Sequence, residues 1–145
     1  MSATTAGELL ARPQNRCVVC GPENDRGLRL VFDTGADGTV AAEWVAGPDF
    51  EGYSGVLHGG IICTLLDEAM AKAVIARQWR AMTVELQVRY RHHVVTGERL
   101  RIEGRVTERR KRRILAQASV TTPGGEPRAE ATGVFLTVGE DDWRP

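Results

Sequence analysis

The residues best suited to chemistry lie in one segment, Leu57-His58-Gly59-Gly60-Ile61-Ile62-Cys63-Thr64-Leu65-Leu66-Asp67-Glu68. Two glycines at a helix start let a ligand approach the backbone and leave N–H groups unblocked. With the positive end of the helix dipole behind them, those N–H groups suit a carbonyl oxygen that gains negative charge, as acyl transfer requires. The two carboxylates are separated by their neighbours. Glu68 has Lys72 four residues later, the favoured orientation for a helix-surface ion pair, and reads as part of a solvated face. Asp67 has Cys63, Thr64, Met70 and Ala71 as its three- and four-residue neighbours, no cation on its face, and Gly60 seven residues back. An aspartate in mid-helix among apolar neighbours has poor helix propensity and needs a reason, either a chemical role or a hydrogen bond to another strand. His58 has three readings: fixing the turn by bonding a loop carbonyl, positioning a substrate, or transferring a proton, for which an imidazole is suited near neutral pH.

Other features read as structural first. Cys17 and Cys20 form a C-x-x-C pair, but no second pair stands at zinc spacing. The default is two thiols in a packed loop, with no metal. Cys63, inside the helix, reads as a small core residue. The run Arg105 to Arg113 holds six basic residues and reads as a solvated hairpin tip; it, Arg89 and Arg91 are also the candidates for binding a phosphate. Phe50, Tyr53, Trp79 and Met82 fit either a pocket for an acyl group or a core.

The elements that must position these residues follow from periodicity. A short helix is expected around Glu8 to Arg12, stopped by Pro13. Cys17 to Gly27 is rich in turn formers. Leu28, Leu30 and Phe32 alternate with polar residues, a turn follows at 35–38, and Val40, Ala42 and Trp44 alternate again, predicting a hairpin. From about His58 to Gln78, apolar residues recur at helical spacing with no Pro or Gly after Gly60. Met82, Val84, Leu86, Val88 and Tyr90 then alternate strictly with Thr83, Glu85, Gln87, Arg89 and Arg91, predicting a half-buried strand with Thr83 on its polar side. Three more strands follow, the last about Arg128 to Val138 after the Pro123-Gly-Gly125 turn. Two strands, one long helix and four strands give an α+β arrangement, an antiparallel sheet of about six strands wrapped around the helix. The uncovered sheet face and any unpaired edge would want a partner subunit.

The whole chain sets limits. Its 145 residues suit one domain able to bury a core without disulfides or a structural metal. Lys plus Arg and Asp plus Glu are both 19, so the formal net charge is zero. That argues against a general polyanion binder and mildly favours self-association. No apolar run is long enough to span a membrane, and the start lacks the pattern of a secretory signal. With an odd count of three cysteines, the expected compartment is the reducing cytoplasm.

The segments EGYSGVLHGGIICTLLDEAM and TVELQVRYRHHVVTGERL resemble the hot-dog acyl-CoA thioesterases of the PaaI-like, phenylacetate-pathway branch of the 4-hydroxybenzoyl-CoA thioesterase superfamily. The shared features are HGG with an aspartate nine residues after the histidine, followed by the T-V-x-L-x-V-x-Y strand. The resemblance covers roughly Asn15 to Val138 and implies a hot-dog domain over 1–145, with 1–16 an N-terminal extension and the core at about 17–138. It implies hydrolysis of an acyl-CoA or acyl-carrier-protein thioester without a cofactor. Asp67 would activate the attacking water or attack the thioester itself, the Gly59 N–H would polarise the carbonyl, and Thr83 would help hold the water, with His58 also at the catalytic centre. Gly60, Tyr53, Ser54, Glu68, Arg89 and Arg91 are the expected substrate-binding residues. The site would lie between two subunits of a homodimer or of a dimer of dimers. Several members carry Asn or Gln six residues before the histidine, where this chain has Gly52; either Glu51, Tyr53 or Ser54 substitutes for it, or the water is oriented differently. Relatives often carry a similar C-x-x-C-G-P-x-N segment. Two other readings compete: a non-catalytic acyl-CoA-binding module, and a hydratase or dehydratase suggested by Glu68-Ala69-Met70 after a Gly-rich turn.

Overall fold

The computed structural model describes residues 16–139; the helix expected around Glu8 to Arg12 lies outside them. The elements are β1 (Asp33–Thr34), β2 (Val40–Val45), a 3-10 turn (Pro48–Phe50), helix α1 (Gly59–Ala76), β3 (Ala81–Tyr90), β4 (Arg99–Arg110), β5 (Arg113–Thr121) and β6 (Pro127–Thr137). The six strands form one antiparallel sheet in the order β1-β2-β4-β5-β6-β3, and α1 packs chiefly on β4 and β5. This is the hot-dog fold. No helix among the described residues is long and apolar enough to cross a membrane.

Helix α1 spans the stretch its periodicity predicts. It buries Ile62, Leu65, Leu66, Ala69, Met70, Ala73 and Val74, each large side chain worth roughly 1.5–3 kcal/mol on burial. It ends at Ala76, and Gln78 then takes φ 61° to turn the chain toward β3. Beneath the helix the sheet presents small residues, Gly104, Ala116, Ala118 and Ala131 among them, all buried. Gly104 shows why: a Cβ there would lie 2.3 Å from the carbonyl oxygen of Ala69. The helix therefore sits on the backbone of β4 itself.

Two expectations fail. The first hairpin strand shrinks to Asp33–Thr34, although the turn at 35–38 stands as expected. Leu28 and Leu30 are buried, yet their N–H groups bond the carbonyls of Val18 and Val19, and Arg29 between them has φ 57°. The Cys17 to Gly27 loop thus takes the hydrogen bonds that a longer strand would have offered to β2.

The second failure concerns β3. Its register with β6 slips between Thr83 and Glu85, which oppose Phe135 and Val134, leaving Val84 unopposed. A residue inserted in this way reverses the alternation beyond it. Thr83 therefore shares a face with Leu86, Val88 and the buried Phe135, the helix side, while Val84 is 51% exposed. Strand β3 pairs only with β6, so its other edge has no partner among the described residues.

Candidate active site

The helix start is built by His58, extended at φ −60° and ψ 132°, which acts as N-cap. Its carbonyl accepts the N–H groups of Ile61 at 3.0 Å and Ile62 at 3.2 Å, and its Nδ1 accepts the Gly60 N–H at 2.8 Å. The imidazole thus fixes the turn by taking an N–H, not by bonding a loop carbonyl. An accepting Nδ1 in a neutral ring leaves the proton on Nε2. Of the two glycine N–H groups, only that of Gly59 makes no hydrogen bond among the described residues.

The loop before His58 folds tightly on itself. The Gly52 N–H donates to the Val56 carbonyl at 2.9 Å, and the Gly55 N–H donates to Glu51 Oε2 at 2.9 Å. A Cβ on Gly52 would meet His58 Cδ2 at 3.1 Å. The imidazole therefore fills the space that a side chain at position 52 would need. Tyr53 is 88% exposed and Ser54 is also exposed, both in the loop that precedes the helix.

One strand residue clamps this turn. The Tyr90 hydroxyl donates to the Gly59 carbonyl at 2.8 Å, and Cys63 Sγ lies 2.9 Å from the same hydroxyl oxygen. Either atom of this close pair can act as the donor. Cys63 is thus only half-buried and hydrogen-bonded, not the inert core residue expected from its type. The hydrogen bond with Cys63, and then burial, push the Tyr90 phenol up to about 12. The sequence gives no signal for this pair, which the packing of α1 on β3 creates.

Two turns further on, Thr83 Oγ1 donates to Asp67 Oδ1 at 2.8 Å. The bulge at Val84 makes that bond, since without it Thr83 would point to the other side of the sheet. The Thr83 hydroxyl is the only side chain among the described residues that hydrogen-bonds the Asp67 carboxylate. Asp67 and Thr83 lie at one end of β3, and Gly59 and Tyr90 at the other. Asp67 lies eight residue steps along the helix from Gly59, about 12 Å along the axis.

The remaining predicted residues lie elsewhere. Glu68 keeps its pair with Lys72, 4.0 Å away, but its side chain is only 14% exposed, so it does not sit on a solvated face. It turns to the N-terminal loop, where Cys17 Sγ lies 3.8 Å from Glu68 Oε1. Burial and the Glu68 carboxylate push the Cys20 thiol up to about 12. Arg89 on β3 and Arg91 just past its end lie on the face away from the helix. Arg91 pairs with Glu130, and Arg89 lines a cleft of about 580 Å³ with Gln87, Glu103, Arg105 and Gln117. The structure therefore gathers His58, Gly59 and Gly60 at the helix start, with Tyr53 and Ser54 exposed in the loop before it, sets Asp67 with Thr83 at a second place, and brings Glu68, Arg89 and Arg91 to neither. The basic run forms the exposed β4–β5 tip, with Arg109 lying 4.4 Å over the Trp79 ring.

Comparison with known proteins gives one consistent result. The family model described as "Thioesterase superfamily" matches residues 54–129. A solved protein of that superfamily is 27% identical with a TM-score of 0.79, over 82% of this chain and 62% of its own length. The chain thus spans less than two thirds of that relative. A hypothetical thioesterase from Streptococcus pneumoniae, solved with coenzyme A, is 21% identical over 77% of this chain and 87% of its own, with a TM-score of 0.72. The Escherichia coli PaaI protein of the phenylacetic acid degradation operon is 17% identical over 82% and 88%, with a TM-score of 0.74. The last two share the fold. No protein of curated function matches the sequence.

Proposed function

Because the chain belongs to the thioesterase superfamily, we propose that it hydrolyses an acyl-CoA or acyl-carrier-protein thioester, with Asp67 as the carboxylate that drives water onto the carbonyl. The observation that carries this reading is the Thr83–Asp67 hydrogen bond, 2.8 Å, which the bulge in β3 allows. It fixes one carboxylate oxygen and leaves Oδ2 to take a proton from water. The water oxygen bonds to the carbonyl carbon, the carbonyl oxygen gains charge against the Gly59 N–H at the helix N-terminus, and collapse breaks the C–S bond. The thiolate leaves and is protonated. His58 keeps its place as N-cap, which holds Gly59 and Gly60 in position, and Tyr53, Ser54 and Gly60 border the acyl entrance.

Two points support the assignment. The pneumococcal thioesterase binds coenzyme A. Two solved mutants of it replace an aspartate and a threonine by alanine, and these lie sixteen residues apart. Asp67 and Thr83 are likewise separated by 16. A carbonyl held on Gly59 cannot meet Asp67 of the same helix across about 12 Å. The reading therefore requires Gly59 of one subunit and Asp67 of another, joined along the open edge of β3.

The test is release of free thiol from a panel of aliphatic and aromatic acyl-CoAs, with Asp67→Asn beside the wild type. Turnover in the wild type and its loss in the folded variant is the expected result. Full activity of Asp67→Asn would refute the assignment of Asp67. A wild type silent on CoA and carrier-protein esters, yet binding them, would leave a binding module.

A further inference from the structure

Away from Asp67, three metal-binding side chains come together: Cys17, Cys20 and Glu68 hold their sulfurs and one carboxylate oxygen within 4.8 Å of one another. The C-x-x-C spacing supplies two donors, and helix α1 supplies the third. We propose that this cluster is a zinc site with Cys17 Sγ, Cys20 Sγ and the Glu68 carboxylate as protein ligands and a water as the fourth.

The geometry is close to what zinc needs. Tetrahedral bonds of about 2.3 Å to sulfur and 2.1 Å to oxygen set those two ligand atoms about 3.6 Å apart. Cys17 Sγ and Glu68 Oε1 are 3.8 Å apart. The loop is shaped around the sulfur: the Gly21 N–H closes a turn on the Cys17 carbonyl at 2.9 Å, and the Val19 N–H donates to Cys17 Sγ at 3.4 Å.

Charge and space agree. Two thiolates, one carboxylate and Zn²⁺ sum to one negative charge, and the Lys72 ammonium, 4.0 Å from Glu68 Oε1, offsets it. The side chains of Glu68 and Lys72 are 14% and 23% exposed, so the cluster is sheltered. Cys20 and Lys72 also border a cavity of about 390 Å³, with Leu30, Phe32 and Ile75, which leaves space for a water as the fourth ligand. Two sulfur donors select zinc over magnesium or calcium. As each Zn–S bond forms, its thiol passes a proton to solvent, with no change of oxidation state. Glu68 is the residue after Asp67, so the ion would pin the N-terminal loop to the helix that carries that carboxylate.

The experiment uses the full chain, reduced, stripped with a chelator and reloaded with zinc alone, with metal counted by mass spectrometry. About one zinc per chain is expected, and cobalt in its place should give sulfur-to-cobalt charge-transfer absorption. The Cys17→Ser/Cys20→Ser double variant should lose both signals. Glu68→Gln should weaken zinc binding roughly tenfold or more, and Asp67→Asn should leave it unchanged. Zinc should also raise the melting temperature of the wild type, a readout that needs no variant to fold. Substoichiometric zinc, a cobalt spectrum without sulfur, or zinc retained by the double-serine variant would overturn the proposal. None of these readouts depends on thioester hydrolysis.

Discussion

The Thr83–Asp67 bond makes the most direct prediction. Thr83→Val keeps the shape of the side chain and deletes its hydroxyl, so the Asp67 carboxylate loses the one hydrogen bond that orients it. A hydrogen bond to a charged group contributes about 1.5–3 kcal/mol when sheltered. Thr83 is exposed and Asp67 half-buried within one chain, which places the loss lower, at about 1–2 kcal/mol. That converts to a fall in kcat of roughly 5- to 30-fold. KM should stay within about twofold, because the hydroxyl orients the base and does not bind the acyl chain. Thr83→Ser restores the donor and should recover kcat to within about threefold of wild type. Steady-state kinetics on the best acyl-CoA would measure all three, with thermal melts to verify the fold. A valine variant with wild-type kcat would refute the reasoning, and so would a serine variant as slow as the valine one. Either result would reduce the bulge to a packing accident.

Two further predictions concern the frame around the site. Gly104→Ala places a Cβ 2.3 Å from the Ala69 carbonyl oxygen, so α1 must lift from β4; a loss of about 2 kcal/mol and roughly 4–8 °C in Tm is expected by thermal unfolding. An unchanged Tm would mean that the helix does not sit so close. Tyr90 should titrate late: its phenol is raised to about 12 in the folded chain, against about 10 when unfolded. The folded state thus holds that proton more tightly, and the resulting stability is complete below pH 10 and lost as pH rises through 12. Ultraviolet titration should show a late phenolate step that Tyr90→Phe removes and Cys63→Ala shifts downward; a wild type without a late step would contradict the Cys63–Tyr90–Gly59 clamp.

Period and composition are enough to read the helix, the succession of two strands, helix and four strands, and a sheet that wraps the helix, because α1 and β4 to β6 bury one face each and must show it in the residues. They misplaced what depends on hydrogen-bond competition. Leu28 and Leu30 alternate like a strand and are buried like one, but the Cys17 to Gly27 loop captures their N–H groups. Alternation alone puts Thr83 on the polar side of β3, and only the resemblance to a known family marks it as functional. The inserted Val84 leaves no compositional trace, since valine fits a regular strand as well as a bulge. By type alone Cys63 reads as a core residue and Tyr90 as a strand aromatic, because nothing in one dimension says that their polar atoms meet over the Gly59 carbonyl. The same holds for Glu68, whose partner Lys72 is legible at four residues while Cys17, fifty-one residues earlier, is not.

The position of these residues along β3 has a consequence for the assembly. Helix and strand run antiparallel, so the Gly59 turn lies beside Tyr90 and Asp67 beside Thr83. If two β3 edges pair about a twofold axis midway between Thr83 and Tyr90, that axis lies near Leu86 and Gln87, and it carries the Tyr90 end of one strand onto the Thr83 end of the other. Each Gly59 N–H then approaches the partner's carboxylate, and the 12 Å that separates them within one helix ceases to matter. An edge strand left open over ten residues is ordinarily an aggregation hazard. Here the same open edge, by pairing with its own copy, is what would bring two half-sites together, which ties the catalytic reading and the self-association reading to one stretch of backbone.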